Sequence, residues 1–288
     1  MIAVADDPAV PAPAAPAAAP EVIRRHSLLV RLTHWTNVLA LLVLLLSGLQ
    51  IFNAHPRLYW GEAGANADRA WVEMTAEPDG DGLRGVTVIG PLRLETTGVL
   101  GASKYQGQWQ ARGFPGWLTL PTYGDLATGR AWHFFFAWVF VLNGLVYLLN
   151  AVAAGHLRRN LLPTRDQLTA RHIVQNIADH IRLRHPTGEA AKRYNILQKL
   201  TYLLVIFLVL PLMVLTGLTM SPAVDAAWPW LLDLFGGRQS ARTLHFISAS
   251  LIVLFVLVHV IEVFLAGVVN EMRSMITGRY VVPPEHRP

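Results

Sequence analysis

Four histidines lie in or at the edge of long apolar stretches: His34, His133, His245 and His259. An ionisable side chain at membrane depth is by default a functional group. His245 and His259 share one stretch, fourteen residues apart. Four helical turns take about 14.4 residues, so both project from one face, about 21 Å apart along the axis. That is too far for one metal ion. It suits two separate metal macrocycles, one near each side of a bilayer. Two imidazoles on opposite faces of one iron leave no open coordination position, and such a site carries electrons rather than binding oxygen. The competing reading is polar glue between helices, which does not require the histidines to match in depth.

The surrounding elements decide whether they do. The chain has 288 residues, 53% hydrophobic and 15% charged. A soluble domain carries about a quarter charged residues, so the composition points to lipid. There is no cysteine, which excludes disulfides, iron–sulfur ligation, thiolate zinc and covalent c-type haem. Four stretches are long enough to cross about 30 Å of hydrocarbon as helices. They run from about Leu28 to Phe52, Ala131 to Ala154, Ile196 to Met220 and Ala241 to Val269. Thr122 and Asp125 offer N-cap chemistry that starts the second span earlier. Pro211 predicts a kink in the third.

The net charge of +5 is a matter of orientation here, not of nucleic acid. Arg24, Arg25 and Arg31 flank the first span. Arg158, Arg159, Arg165, Arg171, Arg182, Arg184, Lys192, Arg193 and Lys199 crowd the connection between the second and third. The positive-inside rule puts both termini and that connection in the cytoplasm. The first span then enters from inside, and the second and fourth from outside. His133 falls level with His245 near the outer surface, and His34 level with His259 near the inner one. Two bis-histidine pairs result, with His55 and His156 as reserve ligands.

Neighbouring residues extend this reading. Gly48 follows His34 by fourteen residues and Gly144 follows His133 by eleven, hence on the same faces. Each leaves room for a flat cofactor at the other level, or for ordinary close helix packing. Arg31 and Arg130 precede their histidines by three residues and suit carboxylate partners such as haem propionates, or a headgroup-facing flank.

The expected fold is an all-α integral membrane four-helix bundle with two substantial connections. Residues 53–130 form a long external loop, whose alternation over Gly85–Leu94 suggests a strand or hairpin in a small folded cap. Residues 155–195 form a cytoplasmic segment. Its Ile173, Ile177 and Ile181 recur every four residues, as on a helix lying on the inner leaflet or capping the bundle. The domain reading is an Ala/Pro-rich disordered tail over 1–23, a membrane domain over 24–280 and a short tail over 281–288.

These residues resemble the bacterial cytochrome b561 / nickel-hydrogenase cytochrome b family. That family includes the gamma subunit of membrane formate dehydrogenase and the cytochrome b of thiosulfate reductases. The resemblance rests on Arg31-Leu32-Thr33-His34-Trp35, on Arg130-Ala131-Trp132-His133-Phe134, on the His245/His259 spacing and on Arg193-Tyr194-Asn195-Ile196-Leu197-Gln198-Lys199. It implies two haem b groups in a bacterial inner membrane. It also implies exchange of electrons between quinone and an external, periplasmic redox subunit, of the kind that carries molybdopterin. By resemblance, Asn195 and secondarily Gln198 contact the quinone, although Leu197 stands where the formate dehydrogenase member has a glycine. On sequence alone Asn195 reads equally as a helix cap. No substrate-catalytic residues are evident in this chain, so it reads as a subunit of an oxidoreductase complex. The alternatives are a stand-alone quinone oxidoreductase and a histidine-containing membrane transporter.

Overall fold

The computed structural model describes residues 21–182, 188 and 194–283. The polar end groups of each span are satisfied locally. Helix α1 (Leu28–Phe52) begins where the Ser27 hydroxyl accepts from the Val30 amide. Helix α2 (Leu126–Ala153) begins at Asp125, whose carboxylate accepts from the Thr128 amide at 3.1 Å and the Thr128 hydroxyl at 2.7 Å. Such caps use helix N–H groups that have no partner within the helix.

The third span is not one regular helix. It runs as α4 (Ile196–Leu204), a π-helical turn over Val205–Val209, and α5 (Leu210–Thr219). Pro211 has no N–H to donate. The irregularity falls where Pro211 predicted a kink, as a widened turn directly before the proline. The fourth span, α8 (Arg238–Leu265), ends at Gly267 with φ of +102°, and a separate α9 (Val268–Thr277) follows. All four spans are long and apolar enough to cross a membrane. Side chains such as Leu149, Phe135 and Leu254 stay exposed on their outer faces, as lipid contact requires.

At one end the expected all-α architecture gives way to β-structure. The residues after α1 form a four-stranded antiparallel sheet in the order β2 (Arg57–Leu58), β3 (Val72–Asp79), β4 (Gly82–Ile89) and β5 (Leu92–Glu95). A hairpin of β6 (Ala102–Tyr105) and β7 (Gln108–Ala111) packs on it. The β4–β5 turn falls inside the stretch whose alternation suggested strands. A single buried cluster joins sheet to spans: Leu58, Val72 and Met74 from the strands pack with Phe52 at the end of α1 and Phe246 of α8. Short helices α6 (Pro222–Ala227) and α7 (Trp230–Leu234) link α5 to α8 at this end.

At the opposite end, β1 (Val22–Arg24) pairs antiparallel with β8 (Arg279–Val281), so residues assigned to the two terminal tails form ordered structure. The rest of those tails, residues 1–20 and 284–288, lies outside the described residues. Arg25 reinforces the strand pair, bridging Glu271 at 3.1 Å and lying over the Tyr280 ring. The amphipathic helix α3 (Ala170–Ile181) lies at this end too, tied to α8 by His180 and Glu262 at 3.2 Å. That contact fits the bundle-capping reading.

Candidate functional site

The spans bring the four histidines together as two facing pairs. The rings of His133 on α2 and His245 on α8 stand 6.3 Å apart between centroids. Those of His34 on α1 and His259 on α8 stand 6.4 Å apart. An imidazole nitrogen binds a transition metal at about 2 Å, and the ring centre lies about 1 Å beyond, so two rings across one metal are about 6 Å apart. Both pairs fit that separation. Among the described residues no three His, Asp, Glu or Cys side chains converge on one point. Each pair presents two facing imidazoles with no third such side chain beside them among the described residues.

Both pairs open onto one continuous cavity of about 3140 Å³ that runs between the helices. A pocket for one small ligand measures about 300–1,000 Å³, so this space suits more than one large group. The cavity wall is mostly apolar, as a haem face requires. Gly144 lies on it, with nothing within 4 Å of where a Cβ would stand. Gly48 also lies on the cavity wall. A Cβ there would meet Cε1 of His133 at 3.3 Å, so the glycine makes room for the imidazole itself. Gly217, not foreseen from sequence, stands in the same relation to His245 at 3.2 Å.

The outer pair is held at its second nitrogen. His133 Nδ1 lies 3.1 Å from the Ser47 hydroxyl. His245 Nδ1 lies 3.1 Å from the Met213 carbonyl and 3.2 Å from the Thr216 hydroxyl. The Met213 carbonyl only accepts, and the Ser47 hydroxyl spends its proton on the Val43 carbonyl, so in both rings the proton sits on Nδ1 and the Nε2 lone pair is left for a metal. The inner pair is held by rings instead. His34 meets Trp35 edge-on at 5.4 Å, and His259 stacks on Phe255 at 6.0 Å.

The two expected propionate partners part company. Arg130 lines the cavity and lies over the Phe134 ring at 5.4 Å. Arg31 turns away from the cavity wall and donates to the Ile276 carbonyl at the end of α9. Arg242, three residues before His245, lines the cavity but spends its guanidinium on the backbone carbonyls of His55 and Arg57. The reserve ligands have other partners: His55 bonds the Tyr59 hydroxyl at 3.1 Å, and His156 bonds Asn160 at 2.7 Å. Burial and the adjacent Arg242 and Arg57 charges lower the pKa of His55.

Asn195 and Gln198 form a capping box at the start of α4. The Asn195 side chain accepts from the Gln198 amide at 2.8 Å, and the Gln198 side chain accepts from the Asn195 amide at 3.2 Å. The capping reading is therefore correct. It uses the two side-chain oxygens, and among the described residues the two NH₂ groups have no hydrogen-bond partner beside the cavity that both residues line. Tyr147, Tyr194 and Tyr202 line the same end, and burial raises the Tyr194 phenol pKa. Tyr194 belongs to the motif that carries the family resemblance, whereas Tyr147 and Tyr202 were passed over, because an aromatic residue in a span is ordinary.

A family model described as prokaryotic cytochrome b561 matches residues 25–278. A protein of Azospira oryzae, named as a protein-methionine-sulfoxide reductase subunit, is 28% identical over 258 residues, covering 90% of this chain and 98% of its own length. No solved structure matches the chain.

Proposed function

The chain belongs to the prokaryotic cytochrome b561 family, a family of multi-pass membrane electron-transfer subunits carrying haem b, and on that premise we propose that it moves electrons between quinone and an external redox subunit through two haems. His133 and His245 would hold the outer haem, and His34 and His259 the inner one. Haem, when bound, supplies a one-electron iron couple that cycles without a change of ligands. The chain's own contribution is to hold each pair of imidazoles facing, with Nδ1 of His133 and His245 engaged so that their Nε2 is free, and to line the cavity with an apolar wall. The carrying observation is the pair of separations, 6.3 and 6.4 Å, found at two depths on one cavity.

The partner reading draws on the Azospira relative, whose name makes it a subunit of a reductase. By analogy this chain docks an external oxidoreductase subunit, of the molybdopterin class, on its β-sheet end. The quinone reading draws on the free amide donors of Asn195 and Gln198 at the other end of the cavity. Basic residues crowd that end, which by the positive-inside rule faces the cytoplasm of a bacterial inner membrane.

Redox difference spectra of membranes carrying the chain test the proposal. Two b-type signals are expected, one lost in His133→Ala and the other in His34→Ala. Membranes without haem absorbance would refute it.

A further inference from the structure

The two hydroxyl contacts on the outer histidines repeat in detail. Leu44-Leu45-Leu46-Ser47-Gly48-Leu49 in α1 corresponds to Met213-Val214-Leu215-Thr216-Gly217-Leu218 in α5. Each hydroxyl donates to the carbonyl four residues back at 2.6 Å, Ser47 to Val43 and Thr216 to Leu212. With its proton committed there, the oxygen is free to accept from Nδ1–H. The glycine that follows then admits the ring, at 3.3 Å in one case and 3.2 Å in the other. The histidines repeat as well: Arg130-Ala131-Trp132-His133-Phe134 corresponds to Arg242-Thr243-Leu244-His245-Phe246. Each histidine stands seven residues after the first residue of its helix.

The correspondence reaches the inner end, where it breaks in chemistry. Arg31-Leu32-Thr33-His34 matches Lys199-Leu200-Thr201-Tyr202. His34 to Gly48 is fourteen residues and Tyr202 to Gly217 is fifteen. The π-helical turn at Val205–Val209 takes up the extra residue. Tyr147 follows His133 by fourteen residues, as His259 follows His245. Tyrosines thus stand at the two positions that mirror the inner histidines.

We propose that the bundle is two copies of one helix pair, α1–α2 and α4/α5–α8, and that the outer haem sits where the copies meet. Its two histidines are gripped by equivalent hydroxyl–glycine clamps, Ser47-Gly48 and Thr216-Gly217. Ser47 and Thr216 are positioning residues. Each polarises its histidine through Nδ1–H, which strengthens donation from Nε2 and favours ferric iron. This rests on the haem reading above.

Removing either acceptor weakens that donation, so the outer haem should become easier to reduce. Redox titration of Ser47→Ala and Thr216→Val membranes is expected to show shifts toward ferrous outer haem, on the order of tenfold in the equilibrium for Ser47→Ala and smaller for Thr216→Val, where the Met213 carbonyl still accepts from Nδ1. The shifts should add in the double variant and leave the inner haem unmoved. Ser47→Thr and Thr216→Ser should restore the parent behaviour. A shift in only one of the two variants, no shift with haem retained, or a shift confined to the inner haem would each overturn the proposal. If a variant loses the outer haem, Gly48→Ala and Gly217→Ala probe the same clamps through the low-spin ferric EPR signal. Equal changes in that signal support equivalence, and a change in only one overturns it. Parent membranes devoid of haem would instead defeat the underlying haem reading.

Discussion

The Thr243 hydroxyl donates to the Tyr59 carbonyl at 2.7 Å, fully buried, two residues before His245 on α8. Tyr59 follows the first strand of the external sheet. This bond therefore couples the β-structured end to the helix that carries one member of the outer pair. The Ser240 hydroxyl, which accepts from the Gly61 amide at 2.7 Å, adds a second tie one turn earlier.

Thr243→Val keeps the shape and removes the donor, leaving a buried carbonyl without a partner. The expected cost is about 1–3 kcal/mol. Thermal unfolding in detergent should show a lowered midpoint, and protease should cut the external segment sooner. An unchanged midpoint would mean that the tie carries little of the docking.

Gly101→Ala should disrupt the external sheet selectively. Gly101 has φ of +78°, and a Cβ there would stand 2.2 Å from the Thr75 carbonyl oxygen. Backbone cannot give way cheaply, so a loss above about 2 kcal/mol is expected. Haem content should persist while electron exchange with an external partner falls, measured as partner-driven reduction in vesicles.

Asn195→Asp separates capping from ligand contact. The carboxylate still accepts from the Gln198 amide, so α4 keeps its start, but the free NH₂ donor is gone. Quinol-driven haem reduction is expected to slow about tenfold, the effect of one lost hydrogen bond of about 1.4 kcal/mol. Absorbance of both haems should stay unchanged. A rate equal to the parent's would remove Asn195 from the quinone site.

Asp125 gives a pH prediction at the start of α2. Hydrogen bonds from Thr128 hold its carboxyl pKa below the usual 3.8. A group with a lowered folded pKa stabilises the fold above the unfolded value, and that stabilisation is lost as pH falls through the folded value. The cap should therefore persist from neutral pH down to about 4 and fail below it. Amide exchange at Thr128, corrected for intrinsic rate, should speed up in that acidic window. In Asp125→Ala it should be fast at every pH, and in Asp125→Asn the acidic step should vanish.

The spans were legible because lipid enforces long apolar runs with few alternatives, and the fourteen-residue His245–His259 interval fixes one helix face. Depth followed from which flanks hold arginine, so the facing of His34 with His259 could be read before any coordinates. Arg31 could not be placed this way. Its partner is the Ile276 carbonyl at the end of α9, a contact 245 residues away in sequence. The four-stranded sheet was read only at its β4–β5 turn, although Val72-Glu73-Met74-Thr75-Ala76-Glu77 of β3 alternates as regularly, because the two-residue β2 and the irregular stretch between it and β3 give no strand signal of their own. Ser47 and Thr216 were passed over because a lone hydroxyl in a span commonly bonds its own helix. Only their shared spacing to a following glycine sets them apart.

Helix α8 supplies one histidine to each pair, and it is the last of the four spans to leave the ribosome. The first three spans together contain His34 and His133 but neither facing partner. A chain stalled before α8 would display two separate single imidazoles at different depths. On the proposed haem reading, the order of synthesis makes cofactor capture a late and coupled event, in which insertion of one helix completes both pairs.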